Sequence, residues 1–192
     1  MFIEKIGTEI ITVDCDITVA GITLDTLGFP KKFEKIGEMW GIYESKYRKT
    51  ATNCKLPVMN YGFWFNKSAG DYDYIVGSAV DETSTAHEDL TVQTIPAGRY
   101  IKAYFNAKDF TDLVCGNGIG DSFARAKQYA EDNYLTIRAM SAFPIGSIEV
   151  YPHDMMCVGK DNGPEWGLAL DDALRTPSVT EYPEMYTLTP IE

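Results

Sequence analysis

The chain has 192 residues, enough for one domain to bury a core without disulfide staples, and 45% of them are hydrophobic. Its 28 acidic against 17 basic residues give a net charge of −11, which repels a phosphate backbone over most of the surface and argues against nucleic-acid binding. Four widely spaced cysteines without a C-x-x-C pair and only two histidines, His87 and His153, exclude a disulfide framework and leave no recognisable metal motif. The first residues, M-F-I-E-K-I-G, lack the apolar stretch of a secretory signal, and no run approaches the length of a membrane span. A cytoplasmic protein that needs neither cofactor nor metal is expected.

From Ile10 to Leu24 the chain is rich in Ile, Val and Thr, interrupted by Asp14 and Asp16, and reads as one or two strands, with Gly21 marking a bulge or a close backbone approach. Gly28 and Pro30 punctuate the chain, and Pro30 suits the first turn of a helix. Phe33, Ile36, Trp40, Tyr43 and Tyr47 then recur at steps of three and four, which predicts one apolar helix face. Tyr61 to Phe65 is strongly β-prone, 66–71 reads as a hairpin connection, and Tyr72 to Val80 as the returning strand. Alternation puts Tyr61, Phe63 and Phe65 on one face and Trp64 on the other.

Residues 81–89, polar and acidic, form the natural midpoint. Leu90 to Phe105 is again strand-rich and carries Ala97-Gly98 as a counterpart of Ala20-Gly21. A helix is predicted from about Ser122 to Tyr134, with Asp121 as its N-cap and Phe123, Ala126 and Ala130 on one stripe. Ile145 to Tyr151 reads as a strand and Glu184 to Ile191 as its partner. Between them, 152–183 is a long insertion holding an amphipathic candidate helix, Pro164 to Arg175, with Trp166, Leu170, Ala173 and Leu174 on one face.

The order of elements therefore repeats. The expected fold is α+β: one domain over 1–192 made of two βαββ units, about 1–82 and 88–192, related by a pseudo-two-fold axis. They share one antiparallel sheet with two main helices on one side and a central cleft.

The residue that calls for explanation is Glu149 in S-I-E-V-Y, because alternation sends Glu149 and Tyr151 to one face of a strand and Ile148 and Val150 to the other. Such a carboxylate is either a solvent-facing strand residue or an anionic anchor on the floor of an aromatic pocket.

Val19-Ala20-Gly21-Ile22, Trp40, Tyr61-Gly62-Phe63, Ile95 to Tyr100, Ile148-Glu149-Val150-Tyr151 and Glu184-Met185-Tyr186 together, in this order and spacing, resemble the GyrI-like effector-binding domain. That SOUL-like module accompanies AraC-type and MerR-type multidrug regulators and also occurs alone. The resemblance covers nearly the whole chain. It implies a ligand cleft between the halves, a buried glutamate at Glu149 that receives lipophilic cations, and wall residues Trp40, Tyr61 and Tyr151. Phe63 joins them because it shares the face of Tyr61, and Trp166 is the residue that the insertion would press onto a ligand if it were a lid. No helix-turn-helix segment is present, so the expectation is a stand-alone sensor of hydrophobic or cationic small molecules, with a homodimer left open.

Two other functions follow from the same resemblance. Some similar proteins hydrolyse strained cyclopropane rings in genotoxic compounds; here Glu149 would be the general base, with Tyr151 or Tyr61 orienting water or substrate. The alternative is an acidic interaction module of the gyrase-inhibitor kind, whose surfaces would be 81–89, Asp171 and Asp172.

Overall fold

The computed structural model describes residues 7–47, 59–81, 89–105, 118–152 and 185–192. The strands are β1 (Thr8–Val13), β2 (Ile17–Thr23), β3 (Met59–Ser68), β4 (Asp71–Val80), β5 (Thr91–Ile95), β6 (Gly98–Phe105), β7 (Ile145–Pro152) and β8 (Met185–Pro190). Helix α1 (Ile36–Ile42) is entered through a 3-10 turn at Phe33–Lys35 and left through a π turn at Tyr43–Tyr47, and α2 spans Gly118–Asp132.

All strands join one antiparallel sheet in the order β1-β6-β8-β7-β3-β4-β2-β5. Read from the centre outwards, β7-β8-β6 on one side mirrors β3-β4-β2 on the other, which is the expected pair of βαββ units meeting at β3 and β7. The outermost strands are exchanged: β1, the leading strand of the first unit, pairs with β6 of the second, and β5, the leading strand of the second, pairs with β2 of the first.

This order forces the sheet to curl. In a flat sheet β1 and β2 would lie six strand spacings apart, about 29 Å, yet only Asp14, Cys15 and Asp16 join them, a link that reaches at most about 14 Å. The two ends of the sheet must approach each other, and the turn before β2 is tied to the turn before β6 by the Ala97 N–H, which donates to Asp16 Oδ1 at 2.7 Å.

Strand alternation divides the apolar residues between the two faces. The inner face of the curl is filled by Val19, Tyr61, Phe63, Phe65, Ile75, Ile148, Val150 and Leu188. Both helices pack on the other face: α1 and the π turn that follows it place Ile36, Met39, Trp40 and Tyr43 against Ile22, Tyr74, Val76, Tyr151 and Met185, and α2 lays Ala126 and Ala130 on Ile101, Ala103 and Ile191. The small stripe of α2 lets it sit close to β6 and β8.

Several local expectations need correction. Pro30 precedes the helical segment, whose first turn starts at Phe33. Phe33 is 75% exposed and leaves the apolar stripe, because the 3-10 turn winds three residues per turn and the α-helical face begins only at Ile36. Helix α2 starts four residues earlier than expected; Asp121 lies inside its first turn and accepts a hydrogen bond from Arg125 Nε at 2.8 Å. The hairpin turn is confined to Ala69-Gly70, with Gly70 at φ +81°.

The two Ala-Gly pairs are not equivalent. Ala97-Gly98 lies at the turn into β6, while Gly21 sits mid-strand directly opposite Gly77, where a Cβ on either residue would run into the facing backbone. The repeat lies in the strand order and not in that dipeptide. Among the described residues, no helix is long and apolar enough to cross a membrane.

Candidate functional site

The site is built where the two units meet. Across the seam between β3 and β7, Asn60 pairs with Tyr151, Gly62 with Glu149 and Phe63 with Ile148. Alternation therefore turns Asn60, Gly62 and Trp64, together with Glu149 and Tyr151, towards the helix side, and Tyr61, Phe63, Ile148 and Val150 into the curl.

Glu149 is only 8% exposed. The Tyr151 hydroxyl donates to its Oε2 at 2.5 Å, and the Tyr151 ring meets Trp40 edge to face with centroids 5.2 Å apart. Trp40 in turn contacts Tyr43 at 6.3 Å. On the far side of Gly62, Tyr74 is packed edge-on against Trp64 at 5.2 Å and leans along the sheet. A Cβ at Gly62 would run into the Tyr74 hydroxyl and come within 3.2 Å of Trp40 Cζ2. The absence of a side chain at Gly62 is what allows these groups to gather beside the acid.

The electrostatics follow from this enclosure. Burial penalises the charged carboxylate and pushes Glu149 up to about 7, against the opposing pull of the Tyr151 and Tyr74 hydroxyls. The same burial, reinforced by the negative charge of Glu149, raises both tyrosine hydroxyls well above their ordinary value, so they remain neutral donors. At neutral pH the acid is thus poised between its two forms.

A second polar line runs beside the first. Ser78 Oγ donates to Asn60 Oδ1 at 2.7 Å, which spends its single proton, so the 2.8 Å bond between Tyr43 Oη and Ser78 Oγ is donated by the tyrosine. Asn60 Nδ2 then donates to Glu44 Oε1 at 3.4 Å. Tyr43 and Glu44, both buried, open the π turn that ends α1, a kind of helix distortion that recurs at functional sites.

Of the residues expected at the site, the structure brings together Glu149, Trp40 and Tyr151. Tyr61 and Phe63 are not brought to it: they lie on the inner face of the curl, where burial also raises the Tyr61 hydroxyl. Trp166 and the whole of 153–184 fall outside the described residues, as do the candidate acidic surfaces at 82–88, Asp171 and Asp172, and His87, His153 and Cys157. Sequence reasoning missed Gly62, Tyr74, Asn60, Ser78 and Glu44. The signal available for Tyr74 was its alternation with Val76 and Ser78 on a strand predicted as such. Among the described residues, no group of three or more His, Cys, Asp or Glu side chains is arranged to hold a metal ion.

Comparison with known proteins bears on this geometry. The chain matches the family model Cass2, described as an integron-associated effector binding protein, over residues 9–165. Its fold is similar to that of a putative bacterial transcription regulation protein from Staphylococcus aureus MU50, with a TM-score of 0.56 and 14% identity over 97% of this chain and 98% of that one. The C-terminal domain of EcmrR gives 0.55 and 13% over 98% of each chain. The integron cassette protein VCH_CASS2 from Vibrio cholerae gives 0.51 and 13% over 98% and 97%. At such identities these structures share the fold alone. No curated protein matches the chain in sequence.

Proposed function

Because the chain belongs to the GyrI-like family of integron-associated effector-binding proteins, we propose that it binds lipophilic cations at the junction of its two units, with Glu149 as the anionic anchor. The observation that carries this reading is a buried carboxyl at the sheet centre, held by Tyr151 and enclosed by Trp40 and Tyr74. An isolated carboxylate withdrawn from water costs several kcal/mol unless it is neutralised or paired. The empty site is relieved by protonation, and a cation relieves it by pairing.

Selectivity follows from the same groups. Aromatic faces attract a cation by about 0.5 to 2 kcal/mol for each good contact and tolerate varied shapes, so charge is selected more sharply than outline. The test is titration with a lipophilic cationic dye at pH 8, followed by fluorescence. Glu149→Gln should weaken binding about tenfold or more, equivalent to roughly 1.4 kcal/mol, with the fold intact by circular dichroism. Equal affinities would remove the anchor role.

The raised basicity of the Glu149 carboxylate also suits a general base. In that second reading Tyr151 orients water for the opening of a strained cyclopropane ring. Incubation with such a substrate distinguishes the two: turnover that vanishes in Glu149→Gln favours the hydrolase, and binding without turnover favours the sensor.

A further inference from the structure

Among the described residues, the Tyr74 hydroxyl is the buried side-chain polar atom left without a hydrogen-bond partner. A buried donor in that state is costly, and native proteins rarely keep one without a reason. Tyr74 is 1% exposed, and its ring is fixed at the base by Trp64. Its hydroxyl occupies the space that Gly62 leaves by having no side chain. Two independent features therefore converge: a donor without an acceptor, and a gap in the sheet surface that holds it there. Glu149 lies close enough for each group to shift the titration of the other, but the Tyr74 hydroxyl falls short of hydrogen-bond geometry with it.

We propose that the Tyr74 hydroxyl is the hydrogen-bond donor this site holds ready for its ligand, and that the ligand class is a lipophilic cation with an uncharged oxygen acceptor next to its cationic centre. This deepens the proposed function and rests on it for the cation. The chemistry is set by the two neighbours: the carboxylate of Glu149 takes the positive centre, the hydroxyl takes a lone pair beside it, and an anionic oxygen would be repelled by the acid. The oxygen has to lie within a few bonds of the charge because the two protein groups are adjacent. Tyr74 would thus determine which cations the site prefers.

The first test needs no ligand. Tyr74→Phe keeps the ring and removes the stranded hydroxyl, so the thermal midpoint of the empty protein should rise. A fall would show that the hydroxyl is already bonded in the empty protein, and would overturn the proposal. The second test compares phenacyltrimethylammonium with 2-phenylethyltrimethylammonium, which differ by a carbonyl in place of a methylene. By calorimetry the wild type should prefer the phenacyl cation about tenfold, the worth of one well-made hydrogen bond, and Tyr74→Phe should bind both alike. Equal binding by the wild type, or a preference that survives in the variant, overturns it. If neither cation binds, the cation reading fails, and acetophenone against ethylbenzene decides the role of Tyr74 alone: a preference for the ketone that Tyr74→Phe abolishes supports it, and any other result overturns it.

Discussion

Gly62 stands directly across the β3–β7 seam from Glu149, so the acid at the centre of the sheet faces a residue with no side chain. That pairing opens the space into which Tyr74 and Trp40 reach from either side. Gly62→Ala should therefore force the Tyr74 hydroxyl and the Trp40 edge apart and destabilise the protein by about 1–3 kcal/mol, the usual cost of overpacking. Chemical denaturation measures this, and combining the change with Tyr74→Phe should recover part of the loss, since the clash is with the hydroxyl.

The position of Glu149 makes binding depend on pH. A cation pairs with the carboxylate, whereas the empty acid holds its proton up to about pH 7, so affinity should rise with pH and level off above neutrality. At pH 6 a lipophilic cation should bind about tenfold more weakly than on the plateau, one pH unit below the midpoint costing one decade. Glu149→Gln should show a flat profile in the same titrations.

Stability should move in the opposite direction. In the unfolded chain Glu149 ionises near 4.5, and in the fold near 7. Between these values the folded protein keeps a proton that the unfolded chain has lost, so its stability is full in acid and declines as pH rises through 7. The loss amounts to roughly 3 kcal/mol above neutrality. Thermal unfolding of wild type and Glu149→Gln should give similar midpoints near pH 4 and a growing advantage for the variant towards pH 8.

The two faces of the sheet give a sharper discrimination. Trp40→Phe should weaken cation binding about three- to tenfold, because tryptophan offers the strongest cation–π face, while Tyr61→Phe should leave it unchanged. Calorimetry with the same cation checks both. A loss in Tyr61→Phe equal to that in Trp40→Phe would place the ligand inside the curl instead.

The chain of donors from Tyr43 through Ser78 and Asn60 to Glu44 seats α1 on the sheet. Ser78→Ala removes the hydrogen bonds that Ser78 Oγ makes with Tyr43 Oη and Asn60 Oδ1, and should cost about 1–3 kcal/mol in denaturant. Weaker cation binding should accompany it, because Trp40 rides on the same helix.

Much of this was legible beforehand because a strand has a period of two. The alternation in S-I-E-V-Y fixed that Glu149 and Tyr151 share a face, and the recurrence of Ile36, Trp40 and Tyr43 fixed which side of α1 is buried. Register was not legible. The resemblance puts Tyr61 beside Glu149, and Phe63 follows because it shares the face of Tyr61, but only the pairing of Phe63 with Ile148 determines which side of the sheet that face is, and a slip of one residue would reverse it. Tyr74 was hidden for a related reason: it stands on β4, two strands from Glu149, its importance depends on the gap at Gly62 between them, and pairing is a long-range property. The exposure of Phe33 depends on where a 3-10 turn gives way to an α-helix, a boundary that the spacing of apolar residues does not mark.

Each unit lends a strand to the other's edge, β1 to β6 and β5 to β2. The molecule is therefore laced and not hinged: its halves have no plane along which to swing apart, and a protease cut between them at 82–88 would leave the fragments clasped.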